Sequence, residues 1–470
     1  MLVPCSVFIS FLFKIKMAPC EGLVPEANAE EKSQTHNGLI TNVSSGKFKD
    51  RPACFDVGIT TVGWLKGKRI DDDIGPYWRV HNKLYDLTDF AKIHPGGKEW
   101  ITMTKGTDIT EAFESSHISL TAEKILSKYF VKDIDTPRNS PYTFHEDGFF
   151  RTLKRKVRPV LEKIGQGPSR QMLLMQDMLF IGFIGLTICA SVIDSKLLVI
   201  FAGIVLAMNI MCAHNFFHQR DSFRMYYWDF SLLTSYDWRI SHGLSHHLFT
   251  NTRYDLEIVA LEPVYVFLPK PGKNFLQRYL AQVYQVVIAP TAFYIELIKR
   301  IYIVVTGQTP LRPENLLPLL ELVVMCGLSS SVATGIRLWL ILHAACSSWF
   351  STIGVLVAHH HPQIYHEGDK FRENPDWGLC QLDAVRDRIE VKGNLFLVAT
   401  TFGDHSLHHL LPTVDHSKLD ALYPAFFETC HEFNIPFEFL SQWELARGTY
   451  QQLARNKPNP NPPGYKDKHD

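Results

Sequence analysis

A chain of 470 residues can hold two or three domains, and 48 basic against 48 acidic residues leave no net charge to attract a polyanion. A nucleic-acid partner is therefore excluded on charge. The nine cysteines, scattered from Cys5 to Cys430 without a Cys-x-x-Cys pair, argue against a disulfide framework or a zinc knuckle and fit a reducing, cytosol-facing setting.

In chain order, the apolar stretch 2–13 is about half of the ~20 residues that span a bilayer. Lys14 and Lys16 follow it, whereas a signal peptide places its basic residues first. Residues 17–58 mix Pro, Glu, Asn, Ser and Gly with few large apolar side chains, so 1–58 reads as a disordered leader.

Residues 59–135 form a small α+β domain, marginal at this size without a cofactor as staple. Residues 77–80 and 83–88 read as two strands around a His81-Asn82 turn. A helical stretch from Asp89-Phe90 then ends at His94-Pro95-Gly96-Gly97, a sharp turn that thrusts the His94 ring out of the backbone path. His117 follows on a separate helix. With Phe90, Ile93, Trp100, Phe113 and Leu126 nearby, the two imidazoles can bracket a flat apolar macrocycle. Iron ligated from both faces has no open position, which suits electron transfer and excludes oxygen chemistry there. The acidic residues Asp71, Asp72, Asp73, Asp86, Asp89, Glu99, Asp108, Glu111 and Glu114 offer a docking surface for a basic reductase or for the rest of the chain.

Residues 136–170 are a linker with the basic run 151–158, which places that end of the next segment in the cytosol. Residues 171–445 form an all-α membrane domain, followed by a polar tail, 446–470. Segments 176–193 and 197–213 read as one transmembrane hairpin, 316–334 and 336–357 as another, and 219–262 as interfacial. Segment 279–298 is apolar but interrupted by Gln282, Gln285, Pro290 and Glu296; it is assigned no net crossing, since one more would divide the histidines between two sides of the bilayer. Four crossings result.

Each hairpin returns the chain to histidines. His214 and His218 follow the first, His242, His246 and His247 lie in the interfacial segment, His359-His360-His361 follow the second, and His405, His408 and His409 come last. On a helix, i and i+3 or i+4 share a face, so each group can present several imidazoles to one metal. Neutral imidazole suits iron, zinc, copper and nickel alike. Enough ligands for two ions, together with an attached one-electron carrier, favour iron.

Two resemblances follow from these motifs. Residues 64–131, through the run 85–90, the His94-Pro-Gly-Gly turn and His117, resemble a cytochrome b5 haem domain, which implies a b-type haem with His94 and His117 as axial ligands. Residues 172–440 resemble the membrane fatty acid desaturases, whose three histidine boxes match His214-x-x-x-His218, His242-x-x-x-His246-His247 and His405-x-x-His408-His409. The order of the two parts is that of the cytochrome b5 fusion, or front-end, desaturases, and Asp376-Trp377 to Gln381-Leu382 is also similar to that group. The resemblance carries over these eight histidines as ligands and catalytic centre, with a further ligand best matched by His360 and next by His359. It departs at Asn215 and Phe217, where the family usually has Asp and Gly, at the three-residue spacing of the second box, and at His405, where fusion enzymes commonly carry Gln.

The resemblance implies a membrane-bound lipid oxidoreductase of the endoplasmic reticulum, with haem domain and histidines on the cytosolic side. Two non-haem iron ions would activate O2 and dehydrogenate a lipid or acyl-CoA chain. Electrons would come from NADH through a separate cytochrome b5 reductase, since the chain carries no nucleotide fingerprint. A lipid hydroxylase on the same scaffold, or a membrane-anchored electron carrier with an inactive desaturase half, are the alternatives.

Overall fold

The computed structural model describes residue 48 and residues 52–464 except 263 and 357, so the apolar stretch 2–13 and most of the expected leader lie outside the described residues. The described part of that leader is folded. Phe48 is buried edge-on against Tyr142 and Phe249, and the helix Cys54–Val57 packs on Thr61–Asp72. The expected disorder as far as residue 58 therefore ends too late: a buried Phe contributes roughly 1.5–3 kcal/mol, which few polar neighbours can offset.

In the haem-type domain, β1 (Trp78–Val80), β2 (Lys83–Tyr85) and β3 (Phe130–Asp133) form one antiparallel sheet in that order. Val80 pairs with Lys83 across the expected two-residue turn, where His81 adopts φ 53°, as such hairpins require. The chain next forms a 3-10 turn, Phe90–Ile93, and the helix Lys98–Met103, joined through Gly97 at φ 111°, a conformation open to glycine. Trp78, Tyr85, Leu87 and Ile101 fill a separate small core.

The second half is built on α1 (Arg170–Val192) and α2 (Lys196–Phe217), whose first turns are capped by the hydroxyls of Ser169 and Ser195. Among the described residues these are the two helices both long and apolar enough to cross a membrane, with mean hydropathies of 1.9 and 2.3. α1 turns Leu174, Met178 and Ile181 outward, whereas α2 is largely enclosed. Three more helices complete the bundle: α3 (Ala281–Val305), α4 (Leu317–Leu328) and α5 (Val332–Leu356).

Of the expected second hairpin, α5 is long but carries Arg337 and His343, and α4 has only 12 residues. The four-crossing count is thus not established by helix length and hydropathy. Three hydrogen bonds trace the path. The Ser330 amide donates to Asp194 Oδ1 at 3.2 Å, joining the turn between α4 and α5 to the turn between α1 and α2. Both ends of α3 return to the histidine-bearing part: Arg278 Nε donates to the Ala454 carbonyl at 2.9 Å, just before α3, and Arg300 Nη2 to the Leu232 carbonyl at 2.8 Å.

Candidate metal centre

The haem-type histidines come first. His94 Nδ1 lies 2.9 Å from the Gly97 carbonyl, and His117 Nδ1 2.9 Å from the Phe113 carbonyl. A carbonyl only accepts, so both Nδ1 atoms carry the proton and both Nε2 atoms are bare lone pairs. The ring centroids are 6.3 Å apart. A metal bound about 2 Å from each nitrogen would account for most of that separation, leaving only the ring radii. Burial, with the nearby His94 adding a smaller effect, lowers His117 to about 4, which keeps it neutral as a ligand must be. Phe90 and Phe113 border the small core as expected. Ile93 is exposed, and Trp100 packs instead against the core shared with the second half, because its helix turns that ring away from the crevice.

In the second half, nine buried or nearly buried imidazoles converge in two groups. The first is His214, His218, His242, His247 and His408, and the second is His246, His359, His405 and His409; within each group the ligand atoms all lie within 4.8 Å of one another. The division follows from local geometry. His214 and His218 close α2 one turn apart, and both join the first group. The second box is a π-helix, Arg239–His246, whose longer repeat brings His242 and His247 together, with Nε2 atoms 3.0 Å apart. His246 consequently points to the other group. On the short helix His405–Leu410, His405 and His409 share a face and His408 does not.

Carboxylates and carbonyls fix the ring tautomers. His242 Nδ1 is 2.8 Å from Glu257, His246 Nδ1 2.9 Å from Asp255, and His359 Nδ1 3.0 Å from the Ala384 carbonyl. The opposite nitrogens then face inward: His359 Nε2 lies 2.7 Å from His405 Nε2 and 3.1 Å from His246 Nε2, and His242 Nε2 lies 2.7 Å from His214 Nε2. Lone pairs so opposed repel unless a cation lies between them, so the donor set fits a metal in each group. Burial, reinforced by the neighbouring imidazoles, holds His242, His247, His359, His405, His408 and His409 well below the usual value. His246 differs. Burial lowers it, but Asp255 and Glu257 outweigh that and push it up to about 9, so a metal there must displace a proton.

Of the supporting residues, Gln381 lies in the run Asp376-Trp377 to Gln381-Leu382 marked by the resemblance, whereas Asp387 and His416 were missed by sequence reasoning. Asn251, at φ 58°, donates to the His359 and Tyr365 carbonyls and so ties the second box to the end of the second hairpin. Asp387 accepts from the His405 and Ser406 amides, capping the third box, which follows left-handed Phe402 and Asp404. His416 Nε2 sits 3.2 Å from His408 Nδ1, and Gln381 Oε1 the same distance from His409 Nδ1. A further signal in the sequence was the pair of carboxylates, Asp255 and Glu257, soon after the second box.

His360, the first choice for a further ligand, stands outside both groups. Its ring stacks on Phe267 at 3.5 Å, and His359, the second choice, takes the place inside. His343 meets Glu321 at 2.9 Å between α5 and α4, away from both groups.

Comparison with known proteins agrees with this layout. Residues 195–441 match the family described as fatty acid desaturase, and residues 65–135 the cytochrome b5-like heme/steroid binding domain. The cytochrome b5-related protein of Drosophila melanogaster is 41% identical over 410 residues, which cover 86% of this chain and 94% of that one. Delta(5) fatty acid desaturase A of Dictyostelium discoideum is 23% identical over 403 residues, covering 76% and 85% of the two chains. The acyl-lipid (8-3)-desaturase of Physcomitrium patens is 22% identical over 421 residues, covering 80% and 87%. No solved structure matches. The chain belongs to the fatty acid desaturase family, with a cytochrome b5 domain fused ahead of its desaturase domain.

Proposed function

We propose that the protein is an O2-dependent acyl-chain desaturase of the endoplasmic reticulum membrane, supplied with electrons by its own haem domain. The observation that carries this reading is the pair of inward-facing imidazole groups, sealed from water and adjacent to a one-electron domain. His214, His218, His242, His247 and His408 would hold one iron ion, and His246, His359, His405 and His409 a second. His94 and His117 would hold a b-type haem. Iron in such a site supplies the oxygen reduction and C–H oxidation that no side chain provides.

The chain's own residues do the rest. Glu257, Asp255 and the Ala384 carbonyl hold three rings with their protons outward and their lone pairs inward. Gln381, His416 and Asn251 fix the third box and the His359 loop, and burial excludes water from the reacting volume.

A lipid substrate is supported by an apolar cleft of about 520 Å³ between α2 and α5, lined by Ile200, Ile204, Ile341, Trp349 and Ile353. Four membrane segments, α1, α2, α4 and α5, are supported by the joined turns at Asp194 and Ser330 and by the return of both ends of α3. The histidines and haem domain then share the cytosolic side, where NADH acts through a separate reductase.

Expression in a desaturase-null host, with fatty-acid and sphingolipid profiling, tests the reading. New double bonds that vanish in His408→Ala, with the haem band intact, are expected. Hydroxylated products would select the hydroxylase instead, and purified protein with haem but no further iron would leave an electron carrier.

A further inference from the structure

One of the places where the two domains meet is an aromatic ring. Trp100, on the helix that follows the His94 turn, lies directly against the backbone of Gly243 inside the second histidine box. A methyl group placed on Gly243 would come within 2.8 Å of Trp100 Cη2, so only glycine admits the ring, and the same point is 4.0 Å from His218 Cε1. The indole edge and a first-group imidazole thus flank one α-carbon.

Trp100 is also held from the other side. The Arg239 guanidinium stands 5.0 Å above the ring, is fully buried, and bridges Asp221 at 2.6 Å and Glu99 at 3.4 Å. Asp221 in turn lies against Gly97, where a methyl group would meet its carboxylate at 2.4 Å. The Gly97 carbonyl accepts from His94 Nδ1 at 2.9 Å. One connected path therefore runs from the His94 ring through that hydrogen bond and three residues of backbone to the indole, and from the indole to Gly243 and His218.

We propose that Trp100 is the bridge by which the electron leaves the haem domain for the first histidine group. The inference rests on the desaturase reading above and assigns a route within it. In each transfer one ferrous haem becomes ferric and one ferric ion of the cluster becomes ferrous; no bond forms or breaks and no proton moves. Gly243 sets the close approach, and Arg239 orients the ring and fixes the register of the two domains.

The test uses the full-length protein loaded with haem and iron, reduced by one electron at the haem under anaerobic conditions. Decay of the ferrous haem band then reports transfer. Trp100→Leu is expected to slow the decay severalfold or more with haem band, haem potential and iron content unchanged, and Trp100→Phe to restore part of the rate. Gly243→Ala, which keeps the indole but pushes it away, is expected to slow it as well. An undiminished rate in Trp100→Leu beside a fast wild type overturns the route alone. Slowing that only tracks lost haem or iron makes Trp100 a packing residue and also overturns it. A wild-type decay no faster than that of His408→Ala would overturn both the route and the desaturase reading.

Discussion

Adjacent residues in the run 359–361 have opposite environments. His359 turns its lone pair toward His405 and His246, while His360 lies flat on Phe267. His359→Ala is therefore expected to lower iron content measured by metal analysis, and His360→Ala to leave it near the wild-type value. His94→Ala is expected to abolish the haem absorption band, since His117 alone cannot hold the iron from both faces. The residue types were legible in the sequence because imidazoles after apolar segments have few other uses. Their division into two groups was not. It depends on a π-helix, which adds one residue to a turn and moves His246 from the side of His242 to the other cluster, and sequence spacing read with an α-helical period gives the wrong partners.

At the scale of elements, α2 and α5 carry the first box and deliver His359, and they touch where Gly203 leaves room. A methyl group there would meet the Leu342 carbonyl oxygen at 2.4 Å, and a backbone oxygen cannot swing aside. Gly203→Leu should cost roughly 1–3 kcal/mol through overpacking and separate the two helices, whereas Gly185→Leu, facing open space on α1, should be tolerated. Thermal unfolding of the two variants in detergent separates these outcomes. The apolar pairs and the first hairpin turn, at Asp194, could be read from the sequence, whereas the second turn, expected at Gly335, lies at 329–331 and Gly335 is inside α5. The brevity of α4 could not be read. Its expected span continued through 329–331, and there Ser329, at ψ 161°, ends the helix while the Ser330 amide is taken by Asp194.

At the scale of the molecule, part of the acidic set expected to dock a basic reductase or the rest of the chain faces inward, against the chain itself. Asp108 and Glu111 are paired with Arg138, and Glu114 with Arg151 and Lys154, all buried or nearly so; Glu99 meets Arg239 and Arg312. Composition showed the charges, but only the fold determines which of them are turned toward the chain's own arginines. Asp89 remains exposed and available to an outside protein. Arg138→Ala, which strands two buried carboxylates, should destabilise the protein by about 3–5 kcal/mol, read as a fall in unfolding temperature.

Acid acts on the same interface. Burial would raise Glu114, but the hydrogen bond from His81 and the charges of Lys154 and Arg151 win and hold it well below the usual carboxylate value. Its stabilisation is thus complete above about pH 5 and is lost as pH falls through the unfolded value of about 4 toward the lower folded one. Limited proteolysis of the 136–148 linker is expected to accelerate over that acid range in the wild type. Glu114→Gln should flatten the dependence.

These buried pairs also have a kinetic consequence. A donor domain held against its acceptor by internal contacts meets it at an effective concentration set by geometry, independent of how thinly the protein is spread in a bilayer. Turnover per molecule should then be indifferent to dilution and to added soluble haem protein. On the proposed function, the encounter with an outside reductase is the step that should remain bimolecular, its rate rising with reductase density until reduction of the haem no longer limits.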